Sequence, residues 1–257
     1  MAPTGNTSPR QVPAKLAAAC AALAFTTLLT AQGPEIATFH VKPLRPLKEL
    51  RKEALAASPP VEKGDFLPAD LVELNTVAAD FHYDIRYATS NNFLSAPFYS
   101  QARAFLERPA AQALAAAAAD LKKHGYGVLV HDGYRPWYVT KMFWDATPDN
   151  LHTFVADPAK GSKHNRGCAI DMSLYDLKTG KAVEMPSGYD EMTERAHPYY
   201  KGASKELTER RDLLRTTMEA HGFSVDPGEW WHFDFSEWRR YPIVNIPFEK
   251  LSPIQGK

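Results

Sequence analysis

The sequence is poor in cysteine and has no surplus of charge of either sign. Its 257 residues include two cysteines, Cys20 and Cys168. Since we expect Cys20 to be removed with a leader segment, no intrachain disulfide framework is available. The 30 basic residues equal the 30 acidic ones in number, which argues against a nucleic acid or an anionic membrane surface as a partner. No internal repeat is visible, and a hydrophobic content of 44% suffices for a buried core in one large domain or two small ones.

Long uncharged runs are also rare, and the clearest one lies near the N-terminus. Arg10 and Lys15 precede a run rich in alanine and leucine over residues 16–31. A basic segment, an apolar run of this length and small residues at its end predict a secretory signal over residues 1–32. The protein would then be exported, to a periplasm or outside the cell, with no stable membrane insertion after removal of the signal. The alternatives are an uncleaved membrane anchor, for which the run is short, and a disordered tail.

The next segment is punctuated by proline. Residues 33–65 contain Pro34, Pro43, Pro46, Pro59 and Pro60. This composition predicts a linker or a loosely packed arm, with one helical turn near residues 47–55. We expect the compact, functional domain to span residues 66–257.

Hydrophobic periodicity within that domain predicts strands mixed with helices. The mixture shows no regular alternation of strand and helix, which favours an α+β fold with a mainly antiparallel central sheet flanked by helices. The predicted helices cover residues 108–124, 137–146 and 206–221. The predicted strands cover residues 81–88, 127–131 and 168–175, and a predicted hairpin pairs residues 223–225 with 231–235. Residues 149–161 are predicted to form a polar loop.

Two short motifs carry groups that can bind a metal ion. His164 is followed by Gly167, where the backbone can turn, and by Asp171. Near the C-terminus, Glu229 precedes His232 by three residues. Two imidazoles and one carboxylate provide three ligands and leave a position for water, and Glu229 remains as a base. This is the minimum set of groups for a zinc hydrolase.

Each motif taken alone also has a structural explanation. Ser162 can form a turn with His164, Asp171 can accept a hydrogen bond at a strand end, and Glu229 can be a surface carboxylate. Together, however, they supply the ligands and the base that one site needs, so a metal site is the better interpretation. Because Glu229 and His232 would point to opposite faces of a regular strand, we expect Glu229 to lie on the turn before the strand.

Arg135 lies in the predicted turn that starts at Asp132. A guanidinium is always charged and offers a rigid fork of donors, which suits an oxyanion developing on a metal-bound carbonyl. The alternative is a salt bridge between Arg135 and Asp132.

Five segments of the chain resemble a known family. The pattern Ser-x-His-x-x-Gly-x-Ala-x-Asp over residues 162–171 and Glu-x-Trp-His over residues 229–232 resemble the two signatures of the zinc peptidases that cleave D-alanyl bonds. The segments at residues 86–93, 132–136 and 189–197 resemble those of the VanX-type D-alanyl-D-alanine dipeptidases, in the same order. The resemblance implies the fold shared by hedgehog and the DD-peptidases.

The resemblance also implies a role for each matching residue. His164, Asp171 and His232 would hold one zinc ion per chain. Glu229 would be the catalytic base and acid, and Arg135 would stabilise the tetrahedral intermediate.

The same resemblance implies how a substrate would be held. Asp190, with Tyr87, would lie where the family binds the ammonium group of the free dipeptide, and Ser162 would lie near its carboxylate. A buried carboxylate favours a free amine over an acylated one. The expected activity is hydrolysis of D-Ala-D-Ala to two D-alanines. Because the protein is expected outside the cytoplasm, cell-wall turnover or D-alanine scavenging is its expected setting.

Two other functions remain as alternatives. The first is a D,D-carboxypeptidase or endopeptidase that acts on peptidoglycan stems. The second is a hedgehog-like zinc module without catalysis, which would need neither Glu229 nor Arg135. The expected partner is a small dipeptide, and the sequence predicts no oligomeric state.

Overall fold

The computed structural model describes residue 1 and residues 36–251. Residues 36–251 belong to one compact unit. Apart from Met1, the predicted signal lies outside the described residues. Between residues 36 and 251, no helix is both long enough and apolar enough to cross a membrane. The helices are α1 (Leu47–Ala56), α2 (Arg108–Lys123), α3 (Trp137–Ala146) and α4 (Lys205–Ala220), and the strands are β1 (Leu71–Glu73), β2 (His82–Tyr83), β3 (Phe105–Glu107), β4 (Tyr126–Asp132), β5 (Ala169–Asp176), β6 (Phe223–Asp226) and β7 (Glu229–Phe235).

A five-stranded sheet forms the centre of the fold. Its strands lie in the order β2-β4-β5-β7-β6, and β1 and β3 form a separate two-stranded sheet. Only the short β2 runs parallel to its neighbour, β4, whereas the other neighbours in both sheets are antiparallel. The predicted α+β class with a mainly antiparallel central sheet is therefore confirmed.

The helix α2 shows why the helical predictions succeed. Pro109 lies in its first turn, where its fixed φ is already helical and its missing N–H is not needed. Small and aliphatic side chains recur at helical spacing, so that one face is completely buried over the central sheet. These residues are Ala110, Ala111, Leu114, Ala117, Ala118 and Leu121.

The proline-rich segment is more ordered than the sequence indicated. Its helix α1 has ten residues instead of the single turn expected, and it packs against α3. Leu50 and Ala54 are completely buried in the main core. The part of this segment that forms α1 is thus packed on the core, because the helix has an apolar face to bury. The assignment of function to residues 66–257 alone stays a prediction.

The predicted strand over residues 81–88 is only partly correct. The structure has a strand at His82–Tyr83, followed by a 3₁₀ turn at Arg86–Ala88. The turn carries Tyr87 inward, where it is 2% exposed and is surrounded by other aromatic rings. Within the predicted loop 149–161, the structure likewise has a 3₁₀ segment at Asp149–Phe154.

Candidate active site

Three neighbouring strands bring acidic and imidazole side chains to one level of the central sheet. Asp132 at the end of β4 is paired with Asp171 of β5, and Asp171 is paired with His232 of β7. His164 comes from a 3₁₀ turn just before β5. That turn ends at Gly167, whose φ of +63° is unfavourable for residues with a Cβ.

His164, Asp171 and His232 point three ligand atoms at one place. His164 Nε2 lies 3.1 Å from His232 Nδ1, and Asp171 Oδ1 lies 3.3 Å from the first nitrogen and 3.0 Å from the second. All three residues are buried. Two nitrogens and one carboxylate oxygen around a shared point form a candidate metal centre.

The outer nitrogens of both imidazoles are already bound to acceptors. His164 Nδ1 lies 2.7 Å from the carbonyl oxygen of Gly133, and His232 Nε2 lies 2.9 Å from Asp234 Oδ1. Each outer nitrogen therefore donates, and the inner nitrogens are left with lone pairs for a cation.

The carboxylates around His232 favour a positive charge at this imidazole. Burial disfavours a charged imidazole at His232, but hydrogen bonds to Asp171 and Asp234 outweigh burial and hold its pKa well above the ordinary value. Positive charge is therefore favoured beside Asp171 and Asp234, and a bound metal ion would supply it.

A second group, Asp226, His232 and Asp234, also comes close enough to hold an ion. Asp234 already has a cation, because Lys163 Nζ lies 3.1 Å from its Oδ2. The second group is therefore better described as support for His232.

Glu229 lies beside the candidate metal centre without belonging to it. Its Oε2 is 3.8 Å from His232 Nδ1. Glu229 is the first residue of β7, and the pairing register shifts there: Val225 pairs with Phe233, but the next residue, Asp226, pairs with Glu229. This irregularity brings Glu229 and His232 to the same side. The predicted proximity is found, but Glu229 lies within the hairpin strand and not on the turn.

Partial burial shapes the acidity of Glu229. Removal from water, together with the carboxylates of Asp171, Asp226 and Asp190, raises its pKa to about 8 against the opposing effect of His232. A carboxyl group with such a pKa can exchange a proton near neutral pH, as general acid–base catalysis requires.

Arg135 is held by the salt bridge that the sequence left as its alternative role. Its Nε donates to Asp132 Oδ2 at 2.9 Å, and its guanidinium lies over the rings of Phe143 and Tyr87. Asp132 is fixed in turn by Tyr99, whose hydroxyl donates to Oδ1 at 2.7 Å. The two roles are compatible, because this anchoring presents the guanidinium to the same pocket.

Tyr87 and Asp190 are bonded to each other. The Tyr87 hydroxyl lies 3.0 Å and 2.9 Å from the two carboxylate oxygens of Asp190. Burial, and secondarily the charge of Asp171, raise the pKa of Asp190 to about 7. Asp190 adopts a φ of +60°, a left-handed conformation that aspartate tolerates better than most residues.

Ser162 forms the turn with His164 that the sequence left as its alternative role. Its Oγ accepts a hydrogen bond of 3.2 Å from the backbone N–H of His164 and so closes the turn. The hydroxyl proton remains available to a ligand, since Ser162 also lines the pocket.

All eight residues singled out from the sequence line one pocket of about 350 Å³. It therefore combines a candidate metal centre with a carboxyl group of raised pKa, a guanidinium and a half-buried carboxylate. These residues are Tyr87, Arg135, Ser162, His164, Asp171, Asp190, Glu229 and His232.

Sequence reasoning missed the residues that hold these groups in place. Asp234 could have been found, since it follows His232 by two residues on the same face of a strand. Tyr189 donates to Asp171 from 18 residues away, and Tyr99 donates to Asp132 from 33 residues away. No spacing rule predicts either contact.

Comparison with known proteins gives a consistent result. Residues 68–248 match the D-ala-D-ala dipeptidase family. The D-alanyl-D-alanine dipeptidase of Escherichia coli (strain K12) is 35% identical over 179 residues, which cover 70% of this chain and 91% of that protein. The protein of the same name from Enterococcus faecalis (strain ATCC 700802 / V583) is 37% identical over 184 residues, covering 65% of this chain and 91% of that protein.

A solved structure, that of the LD-carboxypeptidase LdcB, shows only a remote likeness. It covers 68% of this chain and 71% of that chain, with 19% identity and a TM-score of 0.39. This likeness is too distant to carry an argument about function.

Proposed function

The chain belongs to the D-ala-D-ala dipeptidase family and is a metallopeptidase, and from this premise we propose that it hydrolyses the free dipeptide D-Ala-D-Ala to two D-alanines with one zinc ion per chain. The observation that carries the proposal is the convergence of three ligand atoms, a proton carrier and two substrate-facing charges in one pocket.

The geometry of His164, Asp171 and His232 suits zinc. Ligands at 2.0–2.1 Å from a tetrahedral zinc ion lie ~3.3 Å apart. The three ligand atoms here are separated by 3.0 to 3.3 Å. Three protein ligands leave a fourth position open, as in catalytic rather than structural sites. A bound zinc ion supplies Lewis acidity and lowers the pKa of a water molecule to about 7.

Glu229 carries the proton in the proposed reaction. It takes a proton from the attacking water and returns it to the amine that leaves. Its side chain is 24% exposed and lies next to His232, so it can reach both the water and the leaving group. Its raised pKa favours a group that accepts and then releases a proton near neutral pH.

Arg135 stabilises the oxyanion of the tetrahedral intermediate. The guanidinium is preorganised by Asp132, so little reorganisation accompanies the development of negative charge. The rings of Phe143 and Tyr87 shield it from water, which strengthens its electrostatic effect.

The two ends of the dipeptide carry opposite charges and are bound by different groups. The carboxylate of Asp190, with the Tyr87 hydroxyl, binds the ammonium group, and the Ser162 hydroxyl donates to the carboxylate. An N-acetylated dipeptide has no ammonium group and would leave the Asp190 carboxylate unpaired in the pocket.

The test is D-alanine release by the purified protein from D-Ala-D-Ala and from N-acetyl-D-Ala-D-Ala, with added zinc or with a chelator. We expect release from the free dipeptide only, lost on chelation and restored by zinc. Equal or faster cleavage of the acetylated substrate would reassign the enzyme to peptidoglycan stems. Tight zinc binding without release from either substrate would favour a non-catalytic module.

We also propose that the protein is exported, on the strength of the residue pattern over positions 1–32. The measurement is the N-terminal sequence of the protein in the cell fractions of a bacterial host. Full-length protein confined to the cytoplasm would contradict export, and full-length protein in the membrane would favour the anchor.

A further inference from the structure

The two carboxylate oxygens of Asp171 have different partners. Oδ1 faces the inner nitrogens of His164 and His232 at 3.3 Å and 3.0 Å. Oδ2 points the other way and accepts a hydrogen bond of 2.9 Å from the Tyr189 hydroxyl. The nearest guanidinium nitrogen of Arg135 lies 3.7 Å from the same Oδ2, which is beyond hydrogen-bond length.

The ring of Tyr189 is held on several sides. It stacks on His131 with ring centres 4.6 Å apart and planes tilted by 23°, and it meets Trp231 edge-on at 5.6 Å. The guanidinium of Arg86 lies 5.8 Å from the ring centre. Tyr189 itself is 3% exposed. A ring packed in this way has little freedom, so the position of its hydroxyl is set by the core.

This hydrogen bond decides what Asp171 can do with its second oxygen. Two other arrangements are open to Oδ2. It can turn to the metal ion and make Asp171 a two-oxygen ligand, or it can close the distance to Arg135 and form a full ion pair. The first would fill a coordination position that substrate or water needs. The second would draw Arg135 away from Asp132, which now holds it at 2.9 Å.

We propose that Tyr189 is a positioning residue that holds Oδ2 of Asp171, so that Asp171 offers one oxygen to the metal ion and Arg135 stays free for the substrate. The part concerning Arg135 rests on the proposed function, whereas the part concerning the metal centre does not. Tyr189 does not line the pocket and therefore acts through Asp171.

The adjacent residues Tyr189 and Asp190 connect the candidate metal centre to the pair formed by Asp190 and Tyr87, which we call the substrate clamp. Tyr189 bonds to Asp171, and the next residue, Asp190, bonds to Tyr87. The left-handed φ of +60° at Asp190 allows consecutive side chains to reach these two targets. Tyr189 thus fixes the orientation of the Asp171 carboxylate and the position of the chain segment that carries Asp190.

The test is the variant Tyr189→Phe, which keeps the ring contacts and removes the hydroxyl. Tyr175→Phe is the matched control, since Tyr175 is 5% exposed, lies on the same strand as Asp171 and donates to the Asp80 carbonyl away from the pocket. The first readout is the visible absorption of the cobalt-substituted proteins, which weakens as the coordination number rises. The second is kcat and KM for D-Ala-D-Ala, measured with zinc.

For Tyr189→Phe we expect weaker cobalt absorption and a kcat lowered by ~10–100-fold, as is typical when a partner of a metal ligand is removed. KM should change by less than about threefold, because the hydroxyl touches no substrate. Tyr175→Phe should match the parent in both readouts. Unfolding midpoints of the two metal-free variants within a few degrees of each other would show that both are folded.

An unchanged cobalt spectrum would overturn the part that concerns the metal ion, and an unchanged spectrum together with an unchanged kcat would overturn the whole inference. A changed spectrum with unchanged kcat would overturn the part that concerns Arg135. Failure of the parent protein to release D-alanine would contradict the proposed function alone, because the cobalt spectrum still tests the role of Tyr189.

Discussion

Replacement of Asp190 by asparagine tests how the substrate is selected. Asp190→Asn keeps the size of the side chain and leaves an oxygen for the Tyr87 hydroxyl, so only the charge is removed. Loss of one partner of a buried, hydrogen-bonded ion pair costs about 2–5 kcal/mol. Asp190 is half-buried, which places the expected loss at the lower end, at about 2–3 kcal/mol. This corresponds to a fall of ~30–150-fold in kcat/KM for the free dipeptide.

The acetylated dipeptide makes the prediction specific. It carries no ammonium group, so its slow cleavage should be unchanged or faster in Asp190→Asn, and the preference for the free dipeptide should shrink by at least ~30-fold. Glu191→Gln is a suitable control, because Glu191 lines the same pocket but already accepts from Thr193 at 2.7 Å. We expect less than about threefold change there. An equal preference for the free over the acetylated dipeptide in the parent protein and Asp190→Asn would refute the binding of the ammonium group by Asp190.

Three further predictions follow from the supports of the site. Asp234→Asn replaces the charged acceptor that orients His232 with a neutral one, so zinc affinity measured by chelator competition should fall by ~10–100-fold; an unchanged affinity would contradict this role. Because the pKa of Asp190 is raised to about 7 and the ionised form binds the ammonium group, kcat/KM for the free dipeptide should fall as the pH drops through 7. Glu229, whose pKa is raised to about 8, must also be ionised, so below pH 7 the fall should correspond to two protons in the parent and to one in Asp190→Asn. An equally steep fall in both proteins would assign the second proton to another group. Gly167→Ala should lower the free energy of unfolding in urea by at least ~1 kcal/mol more than Gly125→Ala. Both glycines have a positive φ, but of the two only Gly167 would bring its new Cβ against a neighbour, at 2.4 Å from Leu71. Equal losses would contradict the tight packing at Gly167.

The parts of the fold that could be predicted are those specified by local sequence. The helix α3 spans residues 137–146 as predicted, because Pro136 fixes its start and apolar residues continue to its end. The buried strands β4 and β5 were found for the same kind of reason. The strand predicted over residues 81–88 is shortened to His82–Tyr83 because Tyr87 is drawn into the aromatic core, and that tertiary contact outweighs the alternating pattern.

The candidate site divides in a similar way. The candidate metal ligands and Glu229 lie in two short motifs whose residue types and spacing predicted them, whereas Asp190 and Tyr87 were implied only by the resemblance to a family. The shift in register opposite Asp226, which brings Glu229 beside His232, depends on pairing between strands and has no local signal. The tyrosines that hold Asp132 and Asp171 approach from distant segments, and only the folded chain shows them.

The central claim is that three residues hold one zinc ion while Glu229 carries the proton. The most direct measurement determines zinc content and D-alanine release on the same preparations of the parent protein and Glu229→Gln. We predict one zinc ion per chain in both, with release in the variant lowered by at least ~10²–10⁴-fold. A variant that loses its zinc would make Glu229 a ligand, and a variant that keeps its activity would remove it from the reaction. Either result would contradict the account.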